Sequence, residues 1–402
     1  MAFWHRWFGT PDKNEFARML MAEIRRAGVT QKLAYDPGDF KITVGEGEAL
    51  HFLSIGNAYD EYRRSTRKAR RKILERWARL SLPRETPKSF ADIRPNLLPR
   101  VRDRSQYDRI TAQLKLQGMT PPAYAYRVIA EHLALGLVHD MPDSVAEMPK
   151  DQFEAWGVPL DEAFAIATEN LDRMSQRPFE KIAAGIYLSP YRDNHDAGRL
   201  TLTSRIRRLS VRGSPVAMVP NRDTLIVTGA DDAGGLELMA KITEAALEEP
   251  RPISGIPVWL DEDTWRPFVP DADHPMFVPF GRLRVLSLAS DYSAQKQLLD
   301  ALNAKTEEDV FVASFTVIEH TESGHLSSYC TWTRDVATLL PHTDSIVLVD
   351  PDVPEDPVVA RVDWERAARV VGAKMERVEV YPPRYRVTSF PTAEEIAELK
   401  AS

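Results

Sequence analysis

The stretch VAMVPNRDTLIVTG, residues 216–229, places two apolar runs on either side of Pro220, Asn221, Arg222 and Asp223. Each run is long enough for a strand and too short for a helix, so the polar tetrad reads as the reversal of a β-hairpin. Proline restricts φ, asparagine tolerates the left-handed region, and aspartate bonds back to nearby backbone; together they make a good tight connection. A functional alternative has Arg222 hold an anion that Asp223 orients. The flanking segments extend the pattern: DDAGGLELMAKITEAALEE (231–249) is a helix with Leu236, Met239, Thr243 and Leu247 on one face, and ISGIPVWL (253–260) is a strand. Adjacent strands with a helix appended predict an α+β fold of largely antiparallel or mixed sheets.

The 402 residues exceed one small core and fit about two or three domains. With 43% hydrophobic and 28% charged residues the chain is expected to fold. It has no apolar run of about 18 residues, so no ordinary transmembrane segment is expected. The start, MAFWHRWFGTPDKNEF, lacks the apolar core of a signal peptide, which points to a cytoplasmic protein. One cysteine, Cys330, excludes an intramolecular disulfide and any thiolate-rich zinc or iron-sulfur site. The net charge of −7 argues against wholesale nucleic-acid binding, but residues 63–109 are rich in Arg and Lys, and any polyanion site belongs there.

Along the chain, NEFARMLMAEIRRAG (14–28) is an amphipathic helix carrying Phe16, Met19, Leu20 and Ile24, with Asn14 as N-cap and Gly28 as stop. Two short strands, FKITV and ALHFLSI, follow. Residues 57–81 then read as one long helix with Tyr62, Thr66, Ala69, Ile73, Trp77 and Leu80 on its stripe. Pro83, Pro87, Pro95 and Pro99 mark connecting structure. Residues 123–149 form one or two strands, 150–158 and 160–174 two helices, and a further helix lies around 200–209. The prolines at 267, 270, 275 and 279 suggest a boundary dividing 1–269 from 270–402. Beyond it we expect strand 282–289, helix 290–304, strand 308–318, strand 326–333, strand 344–349, helix 363–373, strand 385–390 and a terminal helix from Thr392, a second α+β domain.

Residues of about 14–269 resemble the YtpQ-like family of bacterial proteins. The motifs are, in order, NLLPRVRD, HLALGLVHD, MPKDQFEAWGVPLDEAFAIATENL, DNHDAGRL, VAMVPNRDTLIV and ISGIPVWLDEDTWRPF. The resemblance implies a fold for this part and no activity. The basic helix and the C-terminal third lie outside what it accounts for.

Five places carry residues capable of chemistry. VTGADDAGG (227–235) links strand to helix like a phosphate loop but lacks its lysine, and Asp231 and Asp232 suit helix capping better. RDNHDAGR (192–199) sets His195 beside Asp196, with Asp193 near and His132 and His139 upstream; a hydrolytic metal centre needs more ligands, and a polar loop is the plainer account. Cys330 has His320, His325 and Asp335 nearby in sequence, yet alternation puts it on the face of Trp332, where a buried cysteine belongs. The basic helix offers Arg63, Arg64, Arg67, Lys68, Arg70, Arg71 and Lys72 with no offsetting glutamates expected at i+4. Residues 1–9 group Phe3, Trp4, Trp7 and Phe8 and could touch a membrane interface weakly.

These features favour a non-catalytic protein that works by contact with a protein partner, with no metal or cofactor and with Arg222 and the basic helix as its binding residues. The alternatives are a metal-assisted hydrolase using His195, Asp196 and Asp223, and a sequence-nonspecific nucleic-acid binder acting through the basic helix.

Overall fold

A computed structural model describes residues 11–401 except 39, 46–50, 80–81, 83–86, 142–143, 250 and 323, so the aromatic segment 1–9 lies outside the described residues. It contains 40% helix and 27% strand in several antiparallel or mixed sheets, an α+β fold. The chain divides into two compact units, residues 1–93 with 140–146, and residues 94–139 with 147–402. The boundary expected at 269/270 falls inside the second unit.

In the first unit, α1 (Lys13–Arg26) precedes an antiparallel meander of β1 (Leu33–Asp36), β2 (Lys41–Val44) and β3 (His51–Ser54), followed by α2 (Gly56–Arg64), α3 (Arg67–Arg79) and the single turn α4 (Phe90–Ile93). The N-cap of α1 is Asp12 rather than Asn14: Asp12 accepts from the Glu15 amide and Glu15 answers on the Asp12 amide, a capping box. The core joins Phe16, Leu20 and Ile24 of α1 to Ile42 and Val44 of β2 and to Tyr59, Tyr62, Ile73 and Leu74 of the basic segment. Burying each such side chain contributes about 1.5–3 kcal/mol.

The single helix expected over 57–81 is two helices. Ser65 is extended, with ψ 153°, and its hydroxyl donates to the Glu61 carbonyl at 2.7 Å. The Ser65–Thr66 pair thus offers the backbone alternatives to helix continuation. The basic face also has more acidic company than expected, since Arg71 pairs with Glu75 at i+4 and Arg76 with Glu61.

The second unit begins with β4 (Leu97–Asp103), α5 (Ser105–Leu116), β5 (Tyr126–Ile129) and β6 (Leu133–Met141), with β4, β6 and β5 neighbours in that order; the end of β6 and most of β7 (Ser144–Glu147), which pairs with β6, are counted with the first unit. Pro99, read as connecting structure, sits within β4. An edge strand tolerates it because the missing amide faces away from the ladder. Helices α6 (Lys150–Ala155) and α7 (Leu160–Met174) follow as expected.

A six-stranded sheet then contains β8 (Glu180–Ala183), β9 (Ile186–Leu188), β10 (Pro215–Asn221), β11 (Thr224–Gly229), β12 (Val258–Asp261) and β13 (Thr264–Pro267), in the order β13-β12-β10-β11-β9-β8. The opening stretch is its central hairpin, with Arg222 and Asp223 as the loop between the paired Asn221 and Thr224. The helix expected around 200–209 reduces to a 3-10 segment, Ala197–Thr201, and one turn, α8 (Thr203–Ile206). Helix α9 (Ala233–Leu247) covers the sheet with Leu236, Met239 and Thr243 buried.

The largest departure from expectation is α10 (Phe277–Thr306): residues 282–289 are the interior of a 30-residue helix, not a strand. Pro279 falls in its first turn, where an amide has no partner to lose, so the proline cluster begins the helix instead of separating it from the sheet.

Two four-stranded sheets complete the unit. β14 (Phe311–Val312), β17 (Thr338–Pro341), β21 (Arg384–Val387) and β20 (Glu376–Val378) make one, and β15 (Thr316–Glu319), β16 (Leu326–Thr333), β18 (Ser345–Val349) and β19 (Val358–Asp363) the other. The single strand expected over 308–318 is therefore two strands in different sheets. Helix α11 (Trp364–Val371) and α12 (Ala393–Lys400), the latter capped by Thr392, pack with Trp332, Ile346 and Leu348.

Close backbone approach fixes the end of the hairpin. A Cβ on Gly229 would stand 1.9 Å from the Arg212 carbonyl oxygen and 2.5 Å from its nitrogen, whereas one on Gly56 would meet nothing within 4 Å. Gly229→Ala is expected to lower stability by about 3 kcal/mol in urea denaturation, and Gly56→Ala to leave it unchanged or slightly higher.

Candidate functional site

The residues singled out around 193–199 and 222–223 do meet, but their charges are spent on one another. Arg199, with 1% of its side chain exposed, donates from both terminal nitrogens to Asp193 at 2.8 and 2.7 Å and from Nε to Ser175 Oγ at 2.8 Å. Its guanidinium lies over the Tyr191 ring, 3.7 Å from the centroid. Asp196, fully buried, accepts from Ser189 Oγ and from the amides of Tyr191 and Asp193 at 3.3 and 3.2 Å. Burial raises the pKa of Asp196; it opposes the Asp193 charge as well, but the hydrogen bonds from Arg199 outweigh it and hold Asp193 low. Removing one member of such a buried set typically costs about 3–5 kcal/mol, so the cluster is a structural knot.

The turn tetrad behaves likewise. Asp223 accepts from the Asn194 amide at 2.8 Å, Arg222 donates to the Asn194 side-chain oxygen, and the Asn221 side chain accepts from the Asp223 amide at 3.0 Å. Asp232 lies apart: it caps α9 by accepting from the Gly235 amide at 2.9 Å. His195, 6% exposed, donates its amide to Asp193 at 3.1 Å. Among the described residues no group of three or more His, Cys, Asp and Glu side chains is arranged to hold a metal.

Cys330 and its sequence neighbours do not assemble. Its sulfur accepts from Thr343 at 3.3 Å, and burial pushes the thiol up to about 12. His320 meets Ser327 at 2.9 Å, and His325 stacks on Phe277. In the first unit, Arg63 and Arg70 lie over Tyr59 and Tyr62. Arg64, Arg67, Lys68 and Lys72 form no ion pair with the described residues.

Sequence inspection did not single out the place where the second unit is hollow. A cavity of about 400 Å³ opens between α10, the end of the six-stranded sheet and the C-terminal strands. Its walls are mainly apolar, with Phe268, Phe280, Leu288 and Phe315 among them. Its polar lining includes Arg284, Tyr381, His132 and His342. Arg284, on the exposed side of α10 one turn beyond Phe280, makes no ion pair or hydrogen bond with the described residues. Tyr381 is a buried residue, and its hydroxyl also makes no hydrogen bond with them. Glu131 stands on the same rim, so the mouth carries both signs of charge.

Both lining histidines are held neutral. Burial pushes His132 down to about 4 and lowers His342, and the Arg284 charge adds to both shifts. Nearby, a buried carboxyl pair joins β4 to α10. Ser105 gives its amide to Asp103 at 2.7 Å and its hydroxyl to Asp291 at 2.9 Å. Burial and the Asp103 charge raise Asp291 far above the usual carboxylate range, so the pair retains a proton at neutral pH.

No protein-family model matches the chain, and no curated protein or solved structure matches it either.

The neutral histidines set a pH dependence. A depressed histidine contributes stability that is complete above its unfolded pKa of 6.5 and is lost as pH falls toward the folded value. For His132 the loss between pH 6.5 and 4 is about 3 kcal/mol, and His132→Gln is expected to remove that share of the acid destabilisation in urea titrations run across this range.

Proposed function

We propose that this is a binding protein whose second unit holds a small amphipathic organic molecule, seated by its apolar body and oriented by an acceptor group. The observation that carries the reading is the 400 Å³ cavity with apolar walls and two uncommitted donors, Arg284 and Tyr381. That volume is in the range of ligand sites, and a few polar groups in an apolar hollow usually fix orientation. Because Glu131 offsets bulk attraction at the rim, the acceptor group is selected by hydrogen bonding to the guanidinium fork. Binding rather than turnover fits the surrounding chemistry: the thiol is far from ionising at neutral pH, and the Asp193 and Asp196 carboxylates are committed to Arg199 and to backbone amides. The kinship of residues 14–269 with the YtpQ-like family remains part of this proposal, resting on motif order alone.

Gly281 provides the test, because it lines the cavity from α10 and a Cβ there would meet nothing within 4 Å. Gly281→Leu therefore starts from a Cβ that meets nothing, projects a side chain from a lining position of the hollow, and improves helix propensity by about 1 kcal/mol. With anilinonaphthalene sulfonate as a fluorescent amphipathic probe, the unaltered protein is expected to bind it. Gly281→Leu should abolish binding, and Arg284→Met should weaken it about tenfold. Equal binding by all three would discard the cavity as the site.

One observation favours a second reading. Arg64, Arg67, Lys68 and Lys72 present exposed charge without acidic partners among the described residues, which suits the phosphates of a nucleic acid. About four phosphate contacts would make affinity for a random-sequence DNA duplex fall on the order of 100-fold between 50 and 200 mM salt. A flat response in a fluorescence-anisotropy titration eliminates this reading.

A further inference from the structure

Arginines on β4 and on the central hairpin share too few carboxylates. Arg100 and Arg102 stand two residues apart on one face of β4, opposite Gly136 and Ala134 of β6 in register. The small residues leave a trough: a Cβ on Gly136 would come 2.1 Å from the Tyr107 hydroxyl and 3.2 Å from Glu147 Oε2. In this trough Glu147 is, among the described residues, the acid paired with both arginines. Arg102 takes Glu147 Oε1 through Nε at 2.8 Å and through a terminal nitrogen, and Tyr107 reaches Oε2 at 3.3 Å. Arg100, with 16% of its side chain exposed, is left 3.9 Å from the same Oε1 and makes no hydrogen bond with the described residues.

The hairpin loop brings a similar group to the same region. The 3-10 segment at 197–201 touches both: Gly198 packs so closely on the Pro99 carbonyl that a Cβ would be 2.8 Å from it, and the Ala197 amide donates to the Arg222 carbonyl at 3.2 Å. Arg222 spends one terminal nitrogen on the neutral Asn194 side chain and lies 3.9 Å from Asp223; its Nε is buried without a hydrogen bond. Arg251, exposed in the loop before β12, makes no ion pair with the described residues, and the next residue, Pro252, bridges to Asn221 beside Arg222. Burial, and then the neighbouring guanidinium charges, push Arg100 and Arg222 both down to about 10. Arg102 and Arg222 bear on Arg100, and Arg251 and Arg102 on Arg222.

Among the described residues, four guanidinium groups face the two carboxylates of Glu147 and Asp223, which leaves two positive charges; Arg100, Arg102 and Arg222 are largely desolvated and Arg251 stands at the exposed edge. Such charges are ordinarily compensated. From this juxtaposition we infer a second binding site in which Arg100, Arg222 and Arg251 hold a doubly charged oxyanion of the phosphate class, either the free ion or a phosphate monoester. A carboxylate would balance only half the excess. A phosphate carries about 1.5 to 2 charges at neutral pH, the guanidinium surroundings favour its dianion, and it offers oxygens that guanidinium forks engage in pairs. The site is separate from the apolar cavity and does not depend on what occupies it.

The test is thermal denaturation and titration calorimetry with inorganic phosphate and with phenyl phosphate, against potassium chloride at matched ionic strength. Both phosphates are expected to raise the melting temperature above the chloride control. Arg100→Met is expected to abolish that rise while leaving the phosphate-free melting temperature unchanged or higher, since it relieves repulsion. Arg251→Ala, at an exposed position, should weaken phosphate binding several-fold and keeps the question decidable if Arg100→Met does not fold. Tighter binding of phenyl phosphate would assign an organic monoester, and equal binding the bare ion. The inference fails if phosphate and chloride act alike on the unaltered protein, or if Arg100→Met or a folded Arg251→Ala retains the full phosphate response.

Discussion

The arrangement of the second unit depends on a buried cation that has no carboxylate partner among the described residues. Arg384 on β21 is fully buried; it donates to the carbonyls of Ala313 and Leu339 at 2.8 and 2.9 Å and to Gln295 Oε1 of α10 at 2.5 Å. Its face covers the Tyr292 ring. Tyr292 donates to the Pro383 carbonyl at 2.8 Å and accepts from the His342 amide at 3.0 Å, and Gln295 donates to the Pro382 carbonyl at 2.8 Å. Carbonyl dipoles thus take the place of a counter-ion, and the guanidinium ties three stretches of backbone to one helix. Tyr292, His342 and Pro383 also line the cavity, so the interaction that docks α10 shapes the hollow beside it.

Much of the first two thirds was legible because local chemistry and tertiary demand agree there. The hairpin at 216–229, helix α7 and helix α9 with its Asp232 cap follow from patterns a few residues long. The misreadings share one cause, in that a local signal was weighed without its neighbours. RLRVLSLA alternates like a strand, yet it continues a helix that begins upstream through Pro279. Ser65 and Thr66 looked like tolerable helix interior and instead end one helix before the next begins. Pro99 looked like a breaker and lies in an edge strand.

The sites were less legible than the fold for a geometric reason. Arg222 and Asp223 could be picked out because they interrupt an apolar pattern, whereas Arg100 and Arg102 passed unremarked inside the motif NLLPRVRD. Neither stretch indicates that Pro99 and Arg222 pack against the same 3-10 segment. The cavity lining is harder still to foresee, because Glu131, Arg284, His342 and Tyr381 come from widely separated elements. In the same way, no spacing rule predicts that Asp103 and Asp291 share one buried setting through Ser105.

The ties between α5 and later chain have a consequence for biosynthesis. Ser105 waits for Asp291, 186 residues on, and Asp108 accepts its hydrogen bond from the Tyr381 amide, 273 residues on. A ribosome adding residues one by one releases the first unit's helices and meander long before these partners emerge, so that unit can mature while β4 and α5 still lack their final neighbours. Closure of such distant contacts is slow and leaves apolar surface open in the interval. The nascent chain therefore carries a β4-β6-β5 sheet whose strands are all made by Glu147 but whose ties from Asp291 and Tyr381 form only once those residues emerge, an interval in which chaperones can engage it.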